Sequence, residues 1–211
     1  MAEEHANNYA LALAKAAEML GGCEPHAAAV QAGVVYRDQR QGKGEFVVAF
    51  WGRDYLVSYP QGAVRDAEAG EPPAMTVQII ILHYLVAADG CPMADRWIAF
   101  REFPGGLLYT AAFQRHVSAA LAGAYGHDAA ALARVGSRLG GERLGYGDAS
   151  FRFRLLPRVA LAVTLSVADD EFPADARVLF DAAANHYLSL EDLAGLGEWF
   201  AERLAAQAEM G

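Results

Sequence analysis

Apolar residues recur at helical spacing between Asn8 and Leu20 (Tyr9, Leu13, Ala16, Ala17, Leu20), and the run stops at Gly21-Gly22. That pattern predicts an amphipathic helix ended by a glycine cap. A short second helix is expected from about Pro25 to Ala32. Strict alternation follows, with Phe46, Val48 and Phe50 and then Tyr55, Val57 and Tyr59 on either side of Trp51-Gly52-Arg53-Asp54. A period of two marks a strand with one wet face, so the interruption predicts a hairpin over about 45–59. Residues 60–73, with their glycines, acids and Pro72-Pro73, read as a loop with room for a short strand at Ala63 to Arg65.

From Thr76 the pattern is apolar nearly all round (Val77, Ile79, Ile80, Ile81, Leu82, Leu85, Val86). This predicts a central helix buried in the core, residues 76–89, with Thr76 as N-cap and Asp89-Gly90 followed by Pro92 as its stop. Trp97 to Phe103 reads as extended and Pro104-Gly105-Gly106 as a turn. Helices are expected over Ala111–Ala124 and Asp128–Leu139, with Asp128 capping the second. A second hairpin is expected over about 149–167, joined at Pro157-Arg158, and its Val159 to Val167 half is apolar enough for a central strand. After a short extended segment, Arg177 to Phe180, the last helix is announced by Ser189 as N-cap, Asp192 at N3 and Leu188 facing Leu193. Hairpins grouped in two places, amphipathic N- and C-terminal helices, and no regular strand–helix alternation predict an α+β fold. The expectation is one domain over 1–211, divisible into lobes at about 1–75 and 76–211.

Composition narrows the partners. The 211 residues are 54% hydrophobic and 20% charged, enough for a sizeable core, and the formal net charge is -9. An acidic chain repels phosphate backbones and anionic membrane surfaces, so neither nucleic acid nor membrane is expected as a partner. The longest apolar run, Val77 to Ala88, is interrupted by Gln78 and His83 and falls short of the ~20 residues a span requires. The N-terminus is acidic and polar, unlike a signal peptide, and Cys23 and Cys91 form no disulfide or zinc framework. These features predict a cytoplasmic protein. Six arginines between 134 and 158 make a locally basic stretch, but Arg152 and Arg154 alternate with Phe151, Phe153 and Leu155 and so read as the wet face of a strand.

Candidate chemistry concentrates between residues 76 and 110. His83 has only Ile79, Ile80, Val86 and Ala87 as neighbours one turn away, so a polar partner must come from another element. His186 repeats the His-Tyr-Leu triplet ahead of the last helix. Either histidine paired with Glu102 or Asp181 would serve acid–base work, although no H-E-x-x-H or His-x-His spacing fixes a metal set, and none is expected. Arg101 and Glu102, adjacent on an expected strand, should point to opposite faces. Gly105-Gly106 beside Arg101 offer backbone amides to an anion, without a phosphate-loop fingerprint. Cys91, placed after a helix C-terminus, is disfavoured as a thiolate nucleophile.

Asn8-Tyr9, Trp51-Gly52-Arg53-Asp54-Tyr55, Leu82-His83-Tyr84-Leu85, Asp89-Gly90, Trp97 to Gly106, Leu156-Pro157, Leu179-Phe180-Asp181, and His186-Tyr187-Leu188 with Glu191-Asp192-Leu193 span almost the whole chain. In these segments the sequence resembles a prokaryotic family, frequent in anaerobes, described as domain of unknown function 3786. The resemblance brings no catalytic residue with it. The resemblance implies that some similar proteins join this domain to a small cysteine-rich iron–sulfur module, which the two cysteines here do not supply, so no redox role is carried over. The leading expectation is a small-molecule or cofactor-binding accessory protein, its cofactor unspecified. Its expected ligand-binding residues are His83, Tyr84, Trp97, Arg101, Glu102, Gly105, Gly106, Tyr109 and His186, the mixture of aromatics and a few polar groups that pockets use. The alternatives are a histidine–carboxylate enzyme and a structural or interaction subunit with a protein partner or a second copy of itself.

Overall fold

A computed structural model describes residues 2–108 and 110–208, with side chains 2–7, 40, 108, 110 and 112 set aside. The fold is α+β, and among the described residues it has six α-helices and nine strands in two sheets. Two compact units divide the chain. One comprises Met1–Pro92, Leu155–Arg158 and His186–Ser189; the other comprises Met93–Arg154, Val159–Asn185 and Leu190–Gly211. The first unit runs unbroken to Pro92, and the chain crosses back twice in short segments that no shift of composition announces.

In the first unit, α1 (Ala2–Gly21) and α2 (Pro25–Ala32) precede a four-stranded antiparallel sheet of β1 (Val35–Asp38), β2 (Gly44–Phe50), β3 (Arg53–Tyr59) and β4 (Val64–Asp66), in that order across the sheet. The β2–β3 hairpin turns on Trp51 and Gly52, both at positive φ (43° and 78°). This is the type I′ geometry whose twist matches paired strands, and Gly52 takes its share without steric cost. Helix α3 (Met75–Ala87) follows and packs against α1 and α2. It starts just before the expected cap. Ala74 is the N-cap and makes no side-chain cap bond, while the Gln78 side-chain Nε2 donates to the Pro73 carbonyl at 2.7 Å. The all-round apolar pattern has its expected consequence, since Val77, Ile79, Ile80, Ile81, Leu82, Tyr84 and Leu85 are all buried.

The second unit holds β5 (Trp97–Ala99), α4 (Thr110–Tyr125), α5 (Ala129–Arg138), β6 (Glu142–Arg143), β7 (Ala149–Leu156), β8 (Val159–Ser166), β9 (Asp175–Asp181) and α6 (Leu190–Ala206). Its sheet runs β5-β9-β8-β7-β6, with the apolar β8 in the centre as its composition required. Asp128 caps α5 by accepting from the Ala131 amide at 2.9 Å, and α6 begins directly after Ser189. Phe100, Phe103, Phe113 and Phe180 form one aromatic cluster, with Phe100 and Phe113 stacked at 4.7 Å. A Cβ at Gly197 would lie 2.6 Å from the Phe113 ring, so α6 can approach α4 closely only with glycine there. Extended structure between Trp97 and Phe103 is confined to β5. The chain bends into a 3-10 turn, Phe100–Glu102, because the Glu102 carboxylate accepts from the Ala99 amide at 2.6 Å and takes a donor that a longer strand would have used.

Tyr84 ties α3 into the first unit. Its hydroxyl donates to the Ala32 carbonyl at 2.5 Å and accepts from the Arg158 amide at 3.1 Å, in a fully buried position. Tyr84→Phe leaves both groups without this partner and is expected to lower unfolding free energy by about 1–3 kcal/mol in urea denaturation. A change within a few tenths would show that the bonds contribute nothing net.

Candidate functional site

The short β5 creates an open cleft in the second unit. Trp97 pairs with Asp181 and Ala99 with Leu179, and there β5 ends, so β9 continues through Val178 to Asp175 beyond its partner. Residues of one strand alternate between faces, which puts Asp175, Arg177 and Leu179 on the face shared with Trp97 and Ala99, while Ala176, Val178 and Phe180 are buried. Gln114 and Ser118, one turn apart on α4, and Arg101 with Glu102 from the 3-10 turn complete the lining of a cleft of about 460 Å³.

The charges of the cleft are unequally committed. Arg177 is paired with Asp175 at 2.7 Å, and one Glu102 oxygen is held by the Ala99 amide. Arg101 is exposed and has neither a hydrogen bond nor an ion pair among the described residues. Arg101 and Glu102 were expected on opposite faces of a strand. The 3-10 geometry, with three residues per turn, brings both to the cleft instead.

The remaining expected residues are distributed elsewhere. Gly105, at φ 84°, and Gly106 make a tight turn in which the Gly106 amide is donated to the Phe103 carbonyl at 2.9 Å, so that amide is already engaged. A side chain on Gly106 would collide with the Phe100 carbonyl, which accounts for the glycine. Tyr109 lies outside the described residues. Tyr84 is wholly buried, and burial raises its hydroxyl pKa far above the ordinary phenol value. His83, midway along α3, is half-buried and is not without a partner. Among the described residues, neither Tyr84 nor His83 lines the cleft that contains Trp97.

His186 belongs to the first unit and heads a second cluster there. It closes a 3-10 turn, Ala184–His186, and its Nδ1 is 2.6 Å from Oδ2 of Asp89. The expected partners were Glu102 and Asp181, but main-chain donors engage both. Glu102 holds the Ala99 amide, and Asp181, fully buried, accepts from the Ala94, Asp95 and Ala183 amides at 2.8–2.9 Å. Cys91 completes the cluster, with carboxylate, thiol and imidazole ligand atoms all within 4.8 Å of one another. The Asp89 carboxylate also accepts from the Cys91 amide at 2.9 Å, and the Cys91 thiol is 3.5 Å from the Pro92 carbonyl. Sequence reasoning missed Asp89 and Cys91, taking the first for a helix stop and the second for an inert thiol. The only sequence signal was the proximity of a carboxylate and a thiol across one glycine.

These observations define an α+β protein with a polar cleft in its second unit and, among the described residues, a histidine–carboxylate–thiol cluster in its first. Residues 24–203 match the family described as Domain of unknown function (DUF3786), and the chain belongs to that family. No curated protein and no solved structure matches it. Among the described residues no helix is long and apolar enough to cross a membrane.

The hydrogen bond from His186, followed by that from the Cys91 amide, holds the Asp89 pKa below the ordinary carboxylate value. A carboxylate depressed on folding contributes stability that is present above the unfolded pKa of about 3.9 and is lost as pH falls through the lower folded value. Carbon-detected NMR titration should therefore place the Asp89 midpoint below that of a free aspartate, and His186→Ala should move it back up. A midpoint indifferent to His186→Ala would remove the pairing from solution.

Proposed function

We propose that the protein is a cytoplasmic accessory protein whose second unit binds a small polar molecule bearing an acidic group. The observation that carries this reading is the uncommitted Arg101 guanidinium in a cleft of about 460 Å³, a size within the ~300–1,000 Å³ range of small-molecule sites. Arg101 meets the acid, whose fit to a planar fork of donors favours a carboxylate or phosphate. Trp97 offers a flat apolar surface to the body of the ligand, and Gln114, Ser118 and the second Glu102 oxygen read its polar substituents. Formal charge in the cleft sums to zero, with Arg101 and Arg177 against Glu102 and Asp175. Selectivity on this reading comes from position and not from a broad positive field. Two cysteines outside any disulfide suit the reducing cytoplasm.

The test is calorimetric titration, guided by a thermal-shift screen, with a panel of small carboxylic acids, phosphate monoesters and nucleotides. At least one class should bind, and Arg101→Ala should weaken it by about tenfold or more, in keeping with a charge-assisted bond worth ~1.5–3 kcal/mol. The same variant should change stability by less than about 0.5 kcal/mol, because the side chain is exposed. Binding that survives Arg101→Ala and Trp97→Ala unchanged, or a panel with no binder, would contradict the reading.

A further inference from the structure

We propose that Asp89, Cys91 and His186 bind one divalent transition-metal ion, zinc or ferrous iron, through three protein ligands that leave a coordination position open. This site lies within the first unit and is independent of the cleft reading. The three side chains supply a carboxylate oxygen, a thiolate sulfur and an imidazole nitrogen. A thiolate with an imidazole selects a borderline-soft ion over magnesium or calcium, which prefer all-oxygen shells. Three ligands with room for a fourth is the composition of a reactive or exchangeable site, whereas closed structural sites use four protein ligands.

The geometry requires little adjustment. Ligands at ~2.0–2.3 Å from a tetrahedral ion lie about 3.3–3.7 Å from one another. The present atoms all fall within 4.8 Å, and the Asp89 Oδ2–His186 Nδ1 pair is at 2.6 Å. Side-chain rotations of about 1 Å therefore suffice to close the set around an ion. In the ion-free state the hydrogen bond between Asp89 and His186 occupies the gap. On binding, the ion replaces that hydrogen bond: the Nδ1 proton of the neutral imidazole is exchanged through solvent for one on Nε2, freeing Nδ1 to coordinate, and Cys91 gives up its thiol proton to solvent, so one proton is released in all.

The backbone carrying the ligands is fixed from beneath. Gly90, between Asp89 and Cys91, holds φ at 85°, a conformation that other residues rarely adopt. The Tyr187 hydroxyl donates to the Cys91 carbonyl, joining the segment beside His186 to the one holding Cys91. Tyr187 in turn stacks on Tyr84 at 5.5 Å, and both rings are fully buried. The two arms of the site thus share one rigid aromatic support, while side-chain exposures of 43% for His186 and 51% for Asp89 leave the front open to an incoming ion.

The experiment uses the full chain, stripped with a chelator and titrated with cobalt(II), followed by displacement with zinc(II). One equivalent of cobalt is expected, with thiolate-to-metal charge-transfer absorption that disappears in Cys91→Ser. Affinity should fall by at least ~100-fold in His186→Ala and in Asp89→Ala, beyond what loss of an outer-sphere partner causes. The side chains are partly exposed and circular dichroism verifies that the variants fold. Alkylation of the wild-type protein adds a control within the same molecule, since zinc should slow iodoacetamide modification of Cys91 and leave Cys23 unaffected. No stoichiometric cobalt, a cobalt spectrum unchanged in Cys91→Ser, or equal alkylation of Cys91 with and without zinc would each overturn the proposal. None of these readouts depends on ligand binding in the cleft, so failure here leaves the Arg101 reading standing, and the reverse also holds.

Discussion

A buried carboxylate held by main-chain amides organises the second unit. Asp181 ends β9 with both oxygens occupied by main-chain donors, Oδ1 by the Ala94 and Ala183 amides and Oδ2 by the Asp95 amide. The cost of removing a carboxylate from water is met by three charge-assisted hydrogen bonds, each stronger than a neutral one. In exchange, the carboxylate fixes the residues leading into β5 and the turn leaving β9. The register Trp97↔Asp181 follows from that knot, and with it the point at which β5 gives way to the 3-10 turn. The cleft exists because β5 stops there. The stretches on the far side of the knot in sequence, back to Cys91 and on to His186, carry the other cluster.

The two clusters differ in what they offer a ligand. In the cleft, every charged group but one is committed to a neighbour or to the backbone, so recognition falls on Arg101 and on the flat surface of Trp97. In the first unit, three different donor atoms converge, and what they share is affinity for a cation. The first arrangement suits reversible binding of an organic acid, and the second suits an ion with a free coordination position. In the basic stretch around residues 134–158, two of the arginines are paired with carboxylates. Arg152 lies 2.5 Å from Glu142 and Arg134 3.5 Å from Asp128, while Phe151, Phe153 and Leu155 between the arginines face the core.

Periodic patterns were legible, although the single-residue cap expected at Thr76 and the extended run expected beyond Ala99 did not form. Alternation at Phe46–Phe50 and Tyr55–Tyr59 defined β2 and β3, unbroken apolarity defined α3 and β8, and Ser189 and Asp128 marked helix starts, because each signal is local and periodic. Long-range pairings were not legible. His186 and Asp89 are 97 residues apart, and no spacing rule links the segment after α3 to the 3-10 turn before α6. Glu102 and Asp181 looked like partners for a histidine, but their carboxylates are used as backbone caps, a role that composition cannot distinguish from a catalytic one. Cys91 was set aside on the argument that a helix C-terminus disfavours thiolate. The helix dipole acts little on the thiol, because α3 ends at Ala87, four residues before the cysteine, and the effect falls off within the last turn.

The dependence on Asp181 is tested most directly by hydrogen exchange at its three donor amides. In Asp181→Ala the Ala94, Asp95 and Ala183 amides should lose most of their protection, and global stability should fall by about 1–3 kcal/mol, the cost of leaving the one buried donor, the Ala183 amide, unpaired. Exchange rates at these amides matching the wild type, with stability unchanged, would contradict the account and leave the register of β5 to be explained by other contacts.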